Sequence, residues 1–172
     1  MATELSSSLE DYIETIYHLV AANESARVTD IAKRLDVRNA SVTGALNSLA
    51  SKGLVNYSPY DEVTLTASGR AAAEDVVYRH RTLRDFLLRV LSIEEREADD
   101  AACRMEHAVP AHVLKRLADF AAFVENCPRA GADWIERFRR IEAKGIDEKE
   151  CSACIEDCCR SFQRKRETEG RE

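Results

Sequence analysis

The sequence predicts a mostly α-helical protein, in which an N-terminal winged helix-turn-helix is followed by an all-helical domain. Apolar residues recur at helical spacing along most of the 172 residues, and only three prolines and six glycines interrupt them. Two short β-prone runs, at residues 54–57 and 63–65, flank a turn and follow three predicted helices. That order of elements is typical of a winged helix-turn-helix.

The three N-terminal helices are predicted from apolar periodicity together with capping residues. Ser8 is a candidate N-cap of the first helix, Thr29 caps a short second helix, and the third helix covers residues 40–52. Gly53 then supplies the left-handed conformation that commonly ends a helix. With the β-prone runs, these helices define a first domain over residues 1–70.

The remaining chain is predicted to be helical until its polar end. One long helix is expected from residue 66 to about residue 91, and residues 92–95 form a capping box for the next helix. Residues 134–141 have the pattern of a further amphipathic helix. We therefore expect a helical domain over residues 71–144 and a cysteine-containing tail over residues 145–172.

The charge distribution favours DNA as a partner, despite a formal net charge of −6. An acidic chain is a poor nonspecific binder of nucleic acid. Residues 37–60, however, contain no Asp or Glu, although an even spread of the 31 acids would place about four there. A surface without acids can approach phosphate, so double-stranded DNA is the expected partner. A winged helix that binds only protein is the alternative.

The third helix is the expected DNA-reading element, because the second helix of a helix-turn-helix enters the major groove. Small hydrogen-bonding side chains on it are candidates for base contacts, and the surrounding cations are candidates for phosphate contacts. The base-contact candidates are Asn39, Ser41, Thr43, Gly44, Asn47 and Ser48. The phosphate-contact candidates are Arg27, Lys33, Arg34, Arg38 and Lys52.

Neither a signal peptide nor a membrane-spanning segment is predicted. The longest apolar runs fall well short of the roughly 20 residues that cross a bilayer, and the first eight residues are mostly polar. We expect a cytoplasmic protein with no membrane partner. Six cysteines in such a protein are better explained by metal or redox chemistry than by structural disulfides.

A cluster of metal-ligand residue types stands on one predicted helix. Cys103, Glu106 and His107 are spaced i, i+3 and i+4, which places all three side chains on one face. A thiol with an imidazole suits Fe, Zn, Mn or Co better than Mg or Ca. Two acids spaced i, i+3 on the first helix and a histidine on the long helix are further candidates. Alone, each residue is also explained as a capping, solvated or core residue. The candidate metal ligands are Asp11, Glu14, His80, Cys103, Glu106 and His107.

Three segments resemble the diphtheria toxin repressor family, which includes the shorter manganese transport regulators. The segments are Leu9-Glu-Asp-Tyr-Ile-Glu-Thr-Ile-Tyr17, Tyr78-Arg-His80 and Cys103-Arg-Met-Glu-His107, and the resemblance covers about residues 8–140. The segment around Cys103 is similar to the iron-responsive branch. Asp11 is similar to the manganese branch, since the iron branch has Met at that position.

The resemblance implies a homodimer that binds a palindromic operator, with a winged helix at each end and a helical dimerisation domain between them. It also implies a main metal site and a second ion nearby, with Glu106 shared between the two. The main site would consist of Asp11, Cys103, Glu106 and His107, and the second ion would be held by Glu14 and His80. Asp99 and Arg84 stand where the iron branch has an ancillary His and Glu.

The identity of the metal is left open between Fe(II) and Mn(II). Thiolate is a soft ligand that favours Fe(II), Co(II) or Zn(II), whereas the carboxylate of Asp11 is hard and favours Mn(II). Affinity order alone would select Zn(II), so the availability of each metal decides.

The cysteines of the tail have two explanations that the sequence does not separate. Four thiols in nine residues are candidate ligands for Zn(II) or an iron–sulfur cluster, or a redox sensor. The spacing of these cysteines is also typical of an apolar stripe along a helix, in which cysteine serves as a small hydrophobic residue. The cysteines concerned are Cys151, Cys154, Cys158 and Cys159.

Taken together, these features predict a metal-activated transcriptional regulator, a repressor of iron or manganese uptake genes, in which metal locks the dimer in a DNA-competent geometry. We expect no catalysis. One alternative is a redox or iron–sulfur-sensing regulator that acts through the tail cysteines. Another is a metal-dependent hydrolase with Glu106 or His107 as general base, which is disfavoured because the ligands would fill the coordination shell.

Overall fold

The computed structural model describes residues 5–59, 61–126, 135–136 and 138–139. Helices dominate this part of the chain, and the strands form one two-stranded antiparallel hairpin. The mostly α-helical class and the winged helix-turn-helix are therefore confirmed. The elements in order are α1 (Ser7–Ala21), α2 (Val28–Leu35), α3 (Asn39–Ser51), β1 (Val55–Asn56), β2 (Thr64–Leu65), α4 (Ala67–Asp85), a π-helical turn (Phe86–Val90), α5 (Glu95–Met105) and α6 (Ala111–Asn126).

The winged helix-turn-helix is held together by one apolar core. Ile16 of α1, Ile31 of α2 and Leu46 of α3 are fully buried in it. Asp36, with a φ of 53°, ends α2 in the left-handed conformation and turns the chain into α3. The hairpin pairs Val55 with Leu65 and closes over the same core.

The start of α4 is fastened to the turn between α3 and β1. The hydroxyl of Thr66 accepts a hydrogen bond from the backbone N–H of Gly69 at 3.0 Å and donates to the carbonyl of Gly53 at 2.8 Å. Gly69 lies so close to this turn that a Cβ on it would stand 1.8 Å from the carbonyl oxygen of Leu54. Gly53 has a φ of 70° directly after α3, as its predicted capping role requires.

The helical domain has a second, smaller apolar core that is separate from the first. Leu83 of α4, Ala102 of α5 and Leu114 of α6 are buried in it. Helix α4 runs through both domains, since Ala73 near its start belongs to the first core. Polar side chains line the space between the two cores, where α1 packs against α4.

Several predicted helix ends are wrong by a few residues. Helix α1 begins after Ser6 rather than Ser8, and α2 begins after Arg27 rather than Thr29. The predicted single helix over residues 66–91 stops at Asp85 and continues as the π-helical turn, in which the N–H of Leu91 bonds to the carbonyl of Phe86. The spacing of apolar residues in the sequence does not distinguish a π-helical turn from an α-helical one.

Residues 135, 136, 138 and 139 are helical, within the amphipathic helix predicted at residues 134–141, whose other members lie outside the described residues. Within the described part of the chain, every helix is too short or too polar to cross a lipid bilayer.

Replacing Gly69 by Ala is expected to destabilise the fold by about 1–3 kcal/mol, because the added Cβ would overlap a backbone carbonyl. Gly44→Ala is the matched control: an added Cβ there has nothing within 4 Å, so the change should stabilise α3 by roughly 0.5–1 kcal/mol. Urea unfolding followed by circular dichroism measures both variants. Wild-type stability in Gly69→Ala would contradict the close contact between α4 and the turn.

Candidate metal centre

A cleft of about 890 Å³ lies between the winged helix-turn-helix and the helical domain. Its walls come from α1, α2, α4, α5 and the π-helical turn. Four of the six predicted metal ligands line it, namely Asp11, Glu14, His80 and Cys103. The other two, Glu106 and His107, lie just after the end of α5 and contact residues of the same cleft.

The structure brings five of the six predicted ligands together in two groups. Each group has one possible ligand atom per residue, and all of these atoms lie within 4.8 Å of one another. The first group is Asp11, Glu106 and His107, and the second is Glu14, His80 and Glu106. Glu106 belongs to both, so its two oxygens face two adjacent clusters.

The distances within the groups show how Glu106 is shared. Its Oε2 accepts a hydrogen bond from Nδ1 of His80 at 2.7 Å, and its Oε1 is 3.4 Å from Nε2 of His107. The same Nε2 atom is 2.9 Å from a carboxylate oxygen of Asp11. Residues of α1 and α4 and the end of α5 thus meet at one point.

Glu106 is the feature that tests whether these residues fit a metal. The residue is only 1% exposed, and its Oε1 is buried without a hydrogen-bond partner in the described part of the chain. A buried carboxylate oxygen without a partner is costly. Imidazole and carboxylate donors on either side make a set that suits a divalent transition metal. The residues therefore fit such an ion.

Cys103 lies at the edge of the cleft and belongs to neither group. Its side chain is exposed, and the pKa of its thiol is raised by partial burial and by repulsion from the carboxylate of Glu106. The predicted i, i+3, i+4 face does exist, but the groups are completed by residues from α1 and α4 rather than by Cys103.

Burial and charge repulsion together shift the ionisation of the acids in the cleft. Burial raises the pKa values of Asp11 and Glu14, and the neighbouring charge of Glu106 raises both further. His80 takes a proton readily, because its hydrogen bond to Glu106 raises its pKa to about 9 against the opposing effect of burial. Burial lowers the pKa of His107, yet its bonds to carboxylates outweigh burial and raise it overall. Protonated histidines therefore stabilise the cluster when no metal is bound.

Two residues in contact with the site were missed by sequence reasoning. Glu10 accepts a hydrogen bond from Nδ1 of His107 at 2.6 Å and another from Arg79 at 2.6 Å. Burial pushes the pKa of Glu10 up, but the bonds from Arg79 and His107 outweigh it and lower this pKa. Glu10 precedes Asp11 in the sequence, and that adjacency was the one signal that could have indicated it.

The candidate DNA-contacting residues lie on an accessible surface. None of the eleven is buried, and α3 exposes Asn39, Ser41, Gly44 and Asn47. Some of these residues also have contacts within the protein. Thr43 donates its hydroxyl to the carbonyl of Asn39 at 3.0 Å, Arg27 lies 3.5 Å from Glu62, and Arg34 lines the cleft.

The tail cysteines of the predicted second metal or redox site, Cys151, Cys154, Cys158 and Cys159, lie outside the described residues. Of the predicted metal-binding residues, the structure therefore describes those at the domain junction.

A winged helix-turn-helix joined to a helical domain, with metal-ligand side chains clustered at the junction, defines a metal-dependent DNA-binding regulator. Two family models match the chain in the same order. The iron dependent repressor N-terminal DNA binding domain matches residues 4–63, and the iron dependent repressor metal binding and dimerisation domain matches residues 66–135.

Individual relatives agree with these models. An uncharacterized HTH-type transcriptional regulator, MJ0568 of Methanocaldococcus jannaschii, is 37% identical over 67% of this chain and 94% of its own. The HTH-type transcriptional regulator MntR of Bacillus pumilus is 32% identical over 83% of this chain and 92% of its own. The solved structure of the manganese regulator SloR matches with a TM-score of 0.60 and 27% identity. The matched region covers 70% of this chain and 56% of the SloR chain.

The chain belongs to the iron dependent repressor family. It is a metal-activated, DNA-binding transcriptional regulator that forms a homodimer. The matches support this function, and not the alternative of a regulator that senses through its tail cysteines.

In metal-free protein kept in chelator, we expect His80 to stabilise the fold in a pH-dependent way. The folded-state pKa of about 9 exceeds the ordinary value of 6.5, so the stabilisation is complete below pH 6.5 and is lost as pH rises through 9. The groups facing His80 are the carboxylates of Glu106, Asp99 and Glu14. Urea unfolding of wild type and His80→Gln, at pH values from about 6 to about 9.5, measures how the difference in their stability changes with pH.

His112→Gln is the control for that series, because His112 is exposed at the start of α6. A difference between wild type and His80→Gln that stays constant across the series would contradict the assigned hydrogen bond to Glu106.

Proposed function

We propose that the two groups at the domain junction are the metal sites through which this regulator senses its ion. Asp11, Glu106 and His107 would hold one divalent ion, and Glu14, His80 and Glu106 a second. Cys103, at the edge of the same cleft, is a further donor. The Oε1 atom of Glu106 carries this proposal, because it is buried without a hydrogen-bond partner among the described residues and a nearby cation would satisfy it.

Mn(II) or Fe(II) is the ion proposed for these sites. The matched family models are described as iron dependent, and the relative SloR is a manganese regulator. The two groups contain only carboxylate and imidazole donors, which suit Mn(II). Participation of Cys103 would move the preference toward Fe(II), because thiolate is a softer ligand.

The sites sit where metal would control the relation between the two domains. Asp11 and Glu14 lie on α1 of the winged helix-turn-helix, and Glu106 lies after α5 of the helical domain. Burial, and then repulsion from the charge of Glu106, raises the pKa values of Asp11 and Glu14. A divalent ion supplies positive charge at this point. The ion would draw α1 toward α5 and so set the angle at which α3 faces DNA. Metal binding would therefore favour one state of the dimer.

The dimer interface is proposed to include the exposed apolar face of α6. Val113, Phe120 and Phe123 are 38%, 44% and 62% exposed on this helix. The matched C-terminal model is a dimerisation domain, and a second copy of the chain would cover these side chains. Two winged helices related by a two-fold axis would then read a palindromic operator.

In the cell, the regulator is proposed to act in the cytoplasm as a repressor of iron or manganese uptake genes. It performs no catalytic step in this proposal. We further propose domain limits of residues 1–70 and 71–144, with the tail at residues 145–172. The family models change over between residues 63 and 66, close to the first of these limits.

Glu106→Gln is expected to remove metal-dependent DNA binding, since it takes the charge from the one side chain that both groups share. The measurement is fluorescence anisotropy on the DNA upstream of the protein's own gene, anaerobically and at fixed salt, with Mn(II), Fe(II), Zn(II) or chelator. The wild type should bind tightly only with metal. Glu97→Gln, an exposed acid in the first turn of α5, is the control and should respond normally.

Circular dichroism of both variants separates loss of metal response from loss of fold. Metal-dependent binding that persists in Glu106→Gln would contradict the proposed sites. Binding that ignores metal and chelator in the wild type would contradict metal activation at this junction.

The DNA surface is tested by pairing a base-contact candidate with a phosphate-contact candidate. Asn47→Ala should weaken binding to the operator by about 1–3 kcal/mol and relax its sequence preference. Lys52→Ala should weaken binding to all sequences alike and reduce the salt slope by about one. Lys115→Ala, which removes an exposed cation from α6 away from the face that carries Val113, Phe120 and Phe123, should leave both quantities unchanged. Equal effects of Lys52→Ala and Lys115→Ala would contradict the assignment of the α3 surface.

A further inference from the structure

The two histidines of the candidate ligand groups, His80 and His107, each contact a further carboxylate outside those groups, and an arginine of α4 contacts each of these carboxylates. In the first chain of contacts, Arg79 donates to both oxygens of Glu10, at 2.6 and 3.3 Å, and Glu10 accepts from Nδ1 of His107 at 2.6 Å. In the second, Nε of Arg84 is 3.3 Å from Asp99, whose carboxylate is 3.2 Å from Nε2 of His80.

These contacts leave a different nitrogen of each ring facing the ligand groups. Nε2 of His107 points to Asp11 and Glu106, at 2.9 and 3.4 Å. Nδ1 of His80 points to Glu106, at 2.7 Å. An imidazole binds a metal through one nitrogen, and a carboxylate that accepts the N–H of the other nitrogen sets the tautomer and the ring orientation.

We propose that Glu10 and Asp99 are positioning residues that select the coordinating nitrogen of each histidine, Nε2 in His107 and Nδ1 in His80, and that Arg79 and Arg84 hold them in place. This inference rests on the proposed metal sites. Glu10 and Asp99 are not themselves ligands in it, and neither belongs to either of the two groups.

The Glu10 chain of contacts is the stronger of the two. The side chains of Glu10 and Arg79 are each 15% exposed, whereas Asp99 is 57% exposed. Solvent weakens an exposed charge pair, so a partly buried pair holds its geometry better. Arg79 also donates to the backbone carbonyl of Glu106 at 2.7 Å. One guanidinium therefore positions both the ring of His107 and the backbone before it.

Arg79 and Glu10 also join the two domains without metal. Glu10 is on α1, Arg79 is on α4, and the carbonyl of Glu106 follows α5. Their contacts therefore hold α1 next to α4 and the end of α5 on the Glu10 side of His107. This predicts that loss of Glu10 weakens metal binding more than loss of Asp99 does.

The test compares Glu10→Ala, Glu10→Gln and Asp99→Asn in the full chain, with Asp75→Asn as the matched control. Asp75 is an exposed acid 3.2 Å from the same Arg79 guanidinium, so the control removes a charge from Arg79 without a described contact to a histidine. Mn(II) affinity is measured by competition with a fluorescent chelator. Long-range ¹H–¹⁵N spectra of the Zn(II)-loaded, histidine-labelled protein identify the coordinating nitrogen, with signals assigned by His→Gln variants.

Glu10→Ala is expected to weaken Mn(II) binding by about 10- to 100-fold and to replace the single Nε2-coordinated pattern of His107 with a mixture. Glu10→Gln should fall between this variant and wild type, because the amide oxygen still accepts from Nδ1. Asp99→Asn should have a smaller effect that is confined to His80, and Asp75→Asn should match the wild type.

Mn(II) affinity in both Glu10 variants equal to that of Asp75→Asn would overturn the inference, as would coordination of wild-type His107 through Nδ1. The Glu10→Gln variant preserves side-chain volume, so the test stands even where Glu10→Ala fails to fold. Failure of the proposed function looks different: the wild type itself would bind no Mn(II), and Zn(II) would leave the signals of His80 and His107 unchanged.

Discussion

The buried carboxylate of Glu106 is the constraint on which the rest of the site depends. It lies between two histidines, with one oxygen bonded to His80 and the other buried without a hydrogen-bond partner among the described residues. A buried charge is tolerated only when positive charge or hydrogen bonds compensate it. Protonated histidines supply positive charge beside Glu106, and in the proposed sites a divalent metal would do the same.

The two domains do not share one apolar core. The winged helix-turn-helix and the helical domain each bury their own hydrophobic residues, and α4 passes through both. The space between the cores is lined by polar side chains, and the charged contact between Asp11 and His107 joins α1 to the residues after α5. Arg79 joins the same two segments through hydrogen bonds to Glu10 and to the backbone carbonyl of Glu106.

The sequence predicted the fold and most of the neighbourhood of the site, but not its details. Helical spacing and the resemblance together indicated the five candidate ligands that the structure brings together. Glu10 and Arg79 were missed, because the partners of Glu10, which are Arg79 and His107, stand 69 and 97 residues away along the chain, and local patterns carry no record of such pairs. The position of Cys103 outside both groups was also not predictable, since helical spacing says which residues share a face but not what lies opposite it.

The sequence by itself determined the order of elements, the apolar faces that form the two cores and the residue types available as ligands. These properties follow from local periodicity and capping, which act within a few residues. Only the tertiary structure decided that Glu106 serves both groups, that α4 continues as a π-helical turn after Asp85 and that two arginines hold the carboxylates behind the histidines. Those outcomes depend on distances between side chains from different helices, which packing sets and local sequence does not.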